Sequence, residues 1–243
     1  MLEAITMHAP TSQIIPAQLL LTAYRSGIFP MADSRVDDEV FWIEPRERAI
    51  IPLDDFHLSR SLAKTLRQDR FHLTCDAAFA AVIEACAEPR PDHPETWISR
   101  RIEDSYRMLH ALGQAHSIEC WQGDRLVGGL YGVSFDRVFC GESMFSRTAD
   151  ASKVALALLV ALLRRAEFRV LDCQFMTPHL ASLGAIAIPR EQYLEMLSDA
   201  AAQSPRCTLP AAYVALVSEA ASAASTGSSS PGKVIAQSLT HTS

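Results

Sequence analysis

The hydrophobic positions change their period several times along the chain, and each change marks an element. Behind Pro16, at a place where a first helical turn tolerates proline, apolar residues continue through Leu21 and end before Gly27, which predicts a helix of about 11 residues. IFPMAD then reads as a turn, and VFWIEPRERAIIPL as a short strand, a Pro-Arg turn and a second strand. In HLSRSLAKTLRQDR, Leu58, Leu62 and Leu66 share one helical face while Arg60, Lys64 and Arg67 recur on another, giving a helix with a basic ridge. Helical periodicity is expected from Thr74 through CDAAFAAVIEACA. The proline-rich EPRPDHPETW breaks it, and a further helix runs from about Ser99 to Leu112, ahead of Gly113.

From His116 the period falls to two. HSIECWQGDRLVGGLYGVSFDRVFCGES contains three strands joined at Gln-Gly-Asp and Ser-Phe-Asp-Arg, an antiparallel meander, and Gly128, Gly129 and Gly132 inside it imply that something approaches the backbone closely. ASKVALALLVALLRRA predicts a mostly buried helix whose polar start and Arg164-Arg165 end suit its dipole. EFRVLDCQF is a further strand, and HLASLGAIAIPREQYLEML a turn, a short strand and a final helix. Beyond about residue 215 the chain is Ala, Ser and Gly with little to bury, so a disordered tail is expected. The fold class is α+β, with a mixed α/β sheet. The division expected is a small N-terminal α/β lobe carrying the basic helix (residues 1–73), a main domain (74–200), and a C-terminal extension (201–243) largely disordered after about 215.

Composition narrows the classes. With 243 residues, 49% hydrophobic and 21% charged, the chain suits an ordinary globular protein, and a net charge of −6 disfavours non-specific coating of nucleic acid, so any RNA contact is local. Six cysteines, widely spaced and without a CxxC pair, read as reduced, buried thiols of a cytoplasmic protein. MLEAITMHAPTSQ lacks a basic flank and an apolar core, and the run from Val154 to Leu163 is too short to span a bilayer; neither an export signal nor a membrane segment is expected. No GxGxxG or GxxxxGK occurs, and the scattered histidines predict no metal site.

Two carboxylates stand out. Period two places Asp172 and Gln174 on one face of their strand, with Leu171, Cys173 and Phe175 on the other. A carboxylate in a buried strand is costly unless paired or used, so Asp172 either caps a helix, pairs with an arginine, or serves a site. Glu142 raises the same question in GESMFSRTADASK, a connection with far more polar chemistry than a turn needs, and two such residues favour a site. Cys173 with His179, or Cys140 with His116, would make a nucleophile pair, but neither cysteine has a local signature. Trp42 and Trp97, flanked by loop chemistry, are candidates to line a pocket. The basic ridge fits a solvated surface or a phosphate track.

AYRSGIFPM, the Trp-x-Glu-Pro-x-x-Arg turn after Phe41, FHLSRSL, TWI, AHSIECW, LVGGLYG, GESMFSRTADASK, LDCQF and HLASLGA, in this order from about Ile14 to Leu197, together resemble the bacterial leucyl/phenylalanyl-tRNA-protein transferases. Many members carry W-W-S-P-x-P-R where this chain has Phe41-Trp42-Ile43-Glu44-Pro45-Arg46. The resemblance implies a GNAT-like acyltransferase domain with a small N-terminal lobe. It implies a cytoplasmic enzyme that moves Leu, Phe or less readily Met from aminoacyl-tRNA to an N-terminal Arg or Lys of a protein, marking it for degradation, with no cofactor or metal. Trp42, Trp97, Phe139 and Met144 would hold the acyl side chain beside Ser146. Glu142 would meet a cationic group of the acceptor, Gln174 would orient its amine and Asp172 would polarise it or take its proton. Arg60, Lys64 and Arg67 would contact tRNA phosphates. An acetyl-CoA-dependent N-acetyltransferase of the same fold is disfavoured because SRTADAS stands where a glycine-rich pyrophosphate loop is needed. A non-catalytic RNA- or peptide-binding module would not require Asp172, Gln174 and Glu142.

Overall fold

The computed structural model describes residues 14–89, 95–225 and 230–240. The N-terminal stretch in which no export signal is expected, residues 1–13, and residues 90–94 of the proline-rich connection lie outside these. Seven strands form the main sheet: β3 (Glu47–Ile51), β4 (His72–Cys75), β5 (Ala115–Gln122), β6 (Arg125–Phe135), β7 (Val138–Ser146), β8 (Val170–Gln174) and β9 (Ile186–Pro189). Their spatial order is β4-β5-β6-β7-β8-β3-β9, and β1 (Phe29–Met31) pairs with β2 (Phe41–Ile43) in a separate antiparallel ribbon. All pairings in the main sheet are antiparallel except β7 with β8, which α5 (Ala151–Arg165) joins by a crossover. The fold is therefore mixed α/β, as the meander and crossover predict.

Alternation along the strands supplies two cores. Leu130, on β6, belongs to the core under α5, while its neighbour Tyr131 faces the core under α3 (Phe79–Ala87) and α4 (Arg100–Ala111). The glycines of β6 are explained by these layers: a Cβ at Gly128 would lie 2.6 Å from Cβ of Ala151 at the start of α5, and one at Gly132 would lie 2.4 Å from the Phe139 ring. α1 (Ala17–Arg25) and α2 (Arg60–Arg67) form where expected, α2 being capped by the Ser59 hydroxyl.

Three elements differ from expectation. Residues 72–75 form β4, and the helix begins only at Phe79, because Glu119 on β5 accepts from the backbone N–H groups of Ala77 and Ala78 and fixes the helix start there. β3, expected to belong to the N-terminal lobe, lies inside the main sheet between β8 and β9 and takes part in its central hydrogen bonding. The C-terminal extension corrects the expected tail: α8 (Leu209–Ser225) and α9 (Pro231–Thr240) are helices, and Leu216, Ala220, Val234, Ile235, Ala236 and Leu239 are buried in the α5 core. Small residues make this possible, since a Cβ at Gly232 would collide with the Leu66 carbonyl of α2. α6 (Pro178–Ala181) and α7 (Arg190–Ala201) complete the elements used below. Among the described residues no helix is long and apolar enough to cross a membrane.

Candidate active site

β7 and β8 pair over only three positions, Val138 with Val170, Phe139 with Leu171 and Cys140 with Asp172, and beyond them the ladder ends. A cavity of about 560 Å³ opens beside the unpaired half of β7, walled by Leu130, Met144, Leu156, Leu159, Leu171 and Leu180. Glu142, Ser143, Ser146, Ser152, Cys173, Thr177 and His179 add polar or ionisable groups to it. Apolar walls with a few convergent polar groups are the usual construction of a small-ligand site.

Irregularities in the ladders set both central side chains. Tyr131 faces Ser143 while Gly132 faces Gly141, which leaves Glu142 as the extra residue of a β-bulge. Ala49 faces Gln174 while Ile50 faces Asp172, so the register slips at Cys173 as well. Gln174 itself has φ +62°, a left-handed backbone that a non-glycine residue adopts only where its surroundings enforce it. The enforcing group is Asp172, whose Oδ1 accepts from the Gln174 backbone N–H at 2.8 Å. The turned Gln174 side chain then donates from Nε2 to Glu142 Oε1 at 2.9 Å.

Asp172 is fully buried and saturated with donors. Besides Gln174 it accepts from Arg48 Nε at 3.2 Å, from Arg48 Nη2, and from Tyr193 Oη at 2.9 Å. Arg48 is held by the Gly27 carbonyl and lies over the rings of Phe29 and Tyr193, at 5.0 and 4.5 Å from their centroids. Burial disfavours its charge, but Asp172 beside it outweighs that and raises its pKa. The pairing of Asp172 with an arginine, one of the alternatives open from sequence, is realised. Arg48, which ends the Trp-x-Glu-Pro-x-x-Arg turn, is given no role by the sequence reading, since it stands there as one of several charges in PRER; the signal available was an arginine leading into the apolar run Ala49–Ile51 of a strand.

Glu142 is in a different state. Its Oε2 accepts from Tyr106 Oη at 3.0 Å, and Tyr106 is in turn hydrogen-bonded to Tyr24. Burial pushes its carboxyl up from 4.5 to about 7; hydrogen bonds from Tyr24, Tyr106 and Gln174 oppose that rise and the charge of Asp172 adds to it. Glu142 is thus able to exchange a proton near neutrality. Cys173 and His179 both line the cavity, yet burial raises the Cys173 thiol pKa and Asp172 raises it further, which suppresses the thiolate a nucleophile needs.

The other expected site residues are dispersed. Met144 and Ser146 line the cavity, and the Ser146 hydroxyl also accepts from the Ser152 N–H at the start of α5. Phe139 is fully buried in the α5 core, away from the cavity lining. Trp42 is exposed on β2 opposite Pro30, and Trp97 is half-buried against the second core. Arg60, Lys64 and Arg67 are exposed on α2, which packs on α9 and α5.

Residues 50–198 match the family described as leucyl/phenylalanyl-tRNA protein transferase, and residues 15–46 match the N-terminal domain of the same family. A protein of Novosphingobium aromaticivorans named leucyl/phenylalanyl-tRNA–protein transferase is 59% identical over 262 residues, spanning 94% of this chain and 97% of its own length. Relatives of the same name come from Zymomonas mobilis (60% identical, 78% of this chain and 70% of its own length) and Phenylobacterium zucineum (54% identical, 87% and 93%). The family matches cover residues 15–46 and 50–198, and the relatives span most of the chain: this protein belongs to the leucyl/phenylalanyl-tRNA protein transferase family.

Proposed function

We propose that the protein transfers Leu, Phe and less readily Met from aminoacyl-tRNA to an N-terminal Arg or Lys of other proteins in the cytoplasm, marking them for degradation. The observation that carries this reading is the apolar cavity walled by Leu130, Met144, Leu156, Leu159 and Leu171, with Glu142 at its side and Gln174 bonded to Glu142. The cavity suits an unbranched-at-Cβ apolar side chain, and methionine adapts its shape to either leucine or phenylalanine. Phe139 supports that wall from the core, while Trp42 on the N-terminal ribbon and Trp97 in the segment ahead of α4 face the acceptor or the RNA.

Aminolysis of an ester is downhill, so alignment and one proton are what the protein must supply. The acceptor nitrogen attacks the acyl carbon, the C–N bond forms, the bond from that carbon to the ribose 3′-oxygen breaks, and one amine proton leaves while the 3′-oxygen gains one. Gln174 orients the amine. Asp172, whose lone pairs are occupied by Arg48, Tyr193 and the Gln174 backbone, acts through Gln174 by fixing its left-handed turn. Glu142 both attracts the acceptor's cation and takes the amine proton, which its position near neutrality allows. The α2 ridge of Arg60, Lys64 and Arg67 meets the tRNA phosphates. The test is transfer of labelled leucine from charged tRNA to a peptide beginning with arginine, without coenzyme A; a peptide beginning with glutamate serves as control. Equal labelling of both peptides, or of neither, contradicts the proposal.

A further inference from the structure

Among the described residues, few buried side-chain polar atoms lack a hydrogen-bond partner, and two of them, Oη of Tyr131 and Nε2 of His179, belong to residues of the cavity wall; Tyr131 packs its ring into the core under α3 and α4, which leaves His179 as the one on the α6 side. A buried ring nitrogen left unpaired forfeits the solvation it had in water, and where such an atom persists beside a ligand cavity a ligand group is the natural partner. His179 is held in place by its own backbone: Thr177 caps α6 through the Leu180 N–H, and the His179 carbonyl accepts from the Ser182 hydroxyl at 2.6 Å. Burial, and then the charge of Lys153, lower its pKa, so the imidazole is neutral at cytoplasmic pH and one ring nitrogen is an acceptor. The raised thiol of Cys173 removes the alternative use of this histidine as the base of a nucleophile pair.

The position of His179 relative to the reacting groups limits what it meets. With the acyl side chain against the leucines and the amine at Glu142 and Gln174, the wall leaves Ser143, Ser146, Ser152, Thr177 and His179 as the polar groups for the ribose covalently joined to the ester, and of these His179 carries the unpartnered atom. In a 3′-aminoacyl ester the terminal ribose has one free hydroxyl, the 2′-OH, and it is both donor and acceptor. We infer that His179 is a donor-site residue whose Nε2 hydrogen-bonds the 2′-hydroxyl of the terminal adenosine of aminoacyl-tRNA. This rests on the transferase reading above and adds to it a residue that discriminates an RNA donor from a 2′-deoxy donor.

The experiment is a two-by-two comparison of kcat/KM for leucine transfer. The wild type and H179A are each given charged tRNA ending in adenosine or in 2′-deoxyadenosine. One hydrogen bond predicts a loss of about tenfold on removing either partner. H179A on the deoxy donor should then lose no more than either single change, and H179Q, whose amide reaches toward the same place, should recover part of the loss on the ribose donor. Unchanged thermal melting shows that the variants remain folded, and if H179A does not fold, H179Q carries the same comparison. Losses that multiply, or a wild type indifferent to the 2′-hydroxyl, overturn the inference while leaving the transferase reading intact. A wild type that transfers from neither donor overturns that reading first.

Discussion

Two carboxylates flank Gln174, and they are built in opposite ways. Asp172 lies against a guanidinium, a phenol and a backbone amide, with Arg48 itself sandwiched by Phe29 and Tyr193. Glu142, at a bulge beside an apolar cavity, has the Gln174 amide and the phenols of Tyr106 and Tyr24 as partners and, among the described residues, no ion pair. Donor number and counter-charge differ: the first carboxylate is ion-paired with Arg48 and held by its donors, and burial pushes the second up to about 7. The same residue class therefore supplies rigidity on one side of Gln174 and proton exchange on the other.

The largest effect is expected on the saturated side. D172N leaves the Arg48 guanidinium buried without its counter-ion, which should cost roughly 3–5 kcal/mol of stability and at least about 10² in transfer. The double replacement R48M/D172L, apolar on both sides, should recover most of the stability while transfer stays low, because nothing then holds the turn of Gln174. Chemical denaturation and single-turnover kinetics read the two quantities separately. If the double variant regains activity together with stability, Asp172 does not act through Gln174.

The cavity side should respond in activity more than in stability. E142Q should reduce kcat/KM by roughly 10² or less, and its pH profile should lack the limb near 7 expected of the wild type. The sign follows from the ionised form being the competent one: wild-type kcat/KM rises as pH passes upward through about 7, until the acceptor amine governs the rest. Stability moves the other way, since a carboxyl raised from 4.5 to about 7 in the folded protein makes folding less favourable as pH rises across that window, and E142Q should remove this slope.

Smaller effects sharpen the contrast between apolar wall and exposed ridge. M144A should weaken leucine transfer by about tenfold, a loss of buried contact, and should relax the exclusion of isoleucine less than that. Transfer from tRNA charged with Leu, Phe, Met, Ile or Val measures it, and five unchanged rates would remove Met144 from the acyl site. Replacing Arg60, Lys64 and Arg67 by alanine should mainly flatten the salt dependence of tRNA binding, by about 0.7 to 0.9 in slope per lost phosphate contact, with little change for an aminoacyl-adenosine donor.

The legible parts of the molecule were those governed by local period. The meander, the buried helix α5 and the strand carrying Asp172 and Gln174 follow from alternation and from loop chemistry at their ends. The pairing of β3 between β8 and β9 is a long-range choice that no local pattern encodes, and it is what delivers Arg48 to Asp172. α8 and α9 escaped notice because alanine and serine bury little area each, and only the α5 and α2 surfaces they meet make that burial sufficient. Asp172 and Glu142 are visible in the sequence as misplaced carboxylates, with Gln174 on the face of Asp172; the bulge and the left-handed turn that aim Glu142 and Gln174 at each other depend on tertiary contacts.

The contrast between the two carboxylates is tested most directly by titrating the side-chain carboxyl of Glu142. With ¹³C-labelled glutamate, the resonance that is present in the wild type and missing in E142Q should shift with a midpoint at about 7. A midpoint near 4.5, the ordinary glutamate value, would show that Glu142 is as well stabilised as an anion as any surface carboxylate. The division of labour across Gln174 would then be wrong.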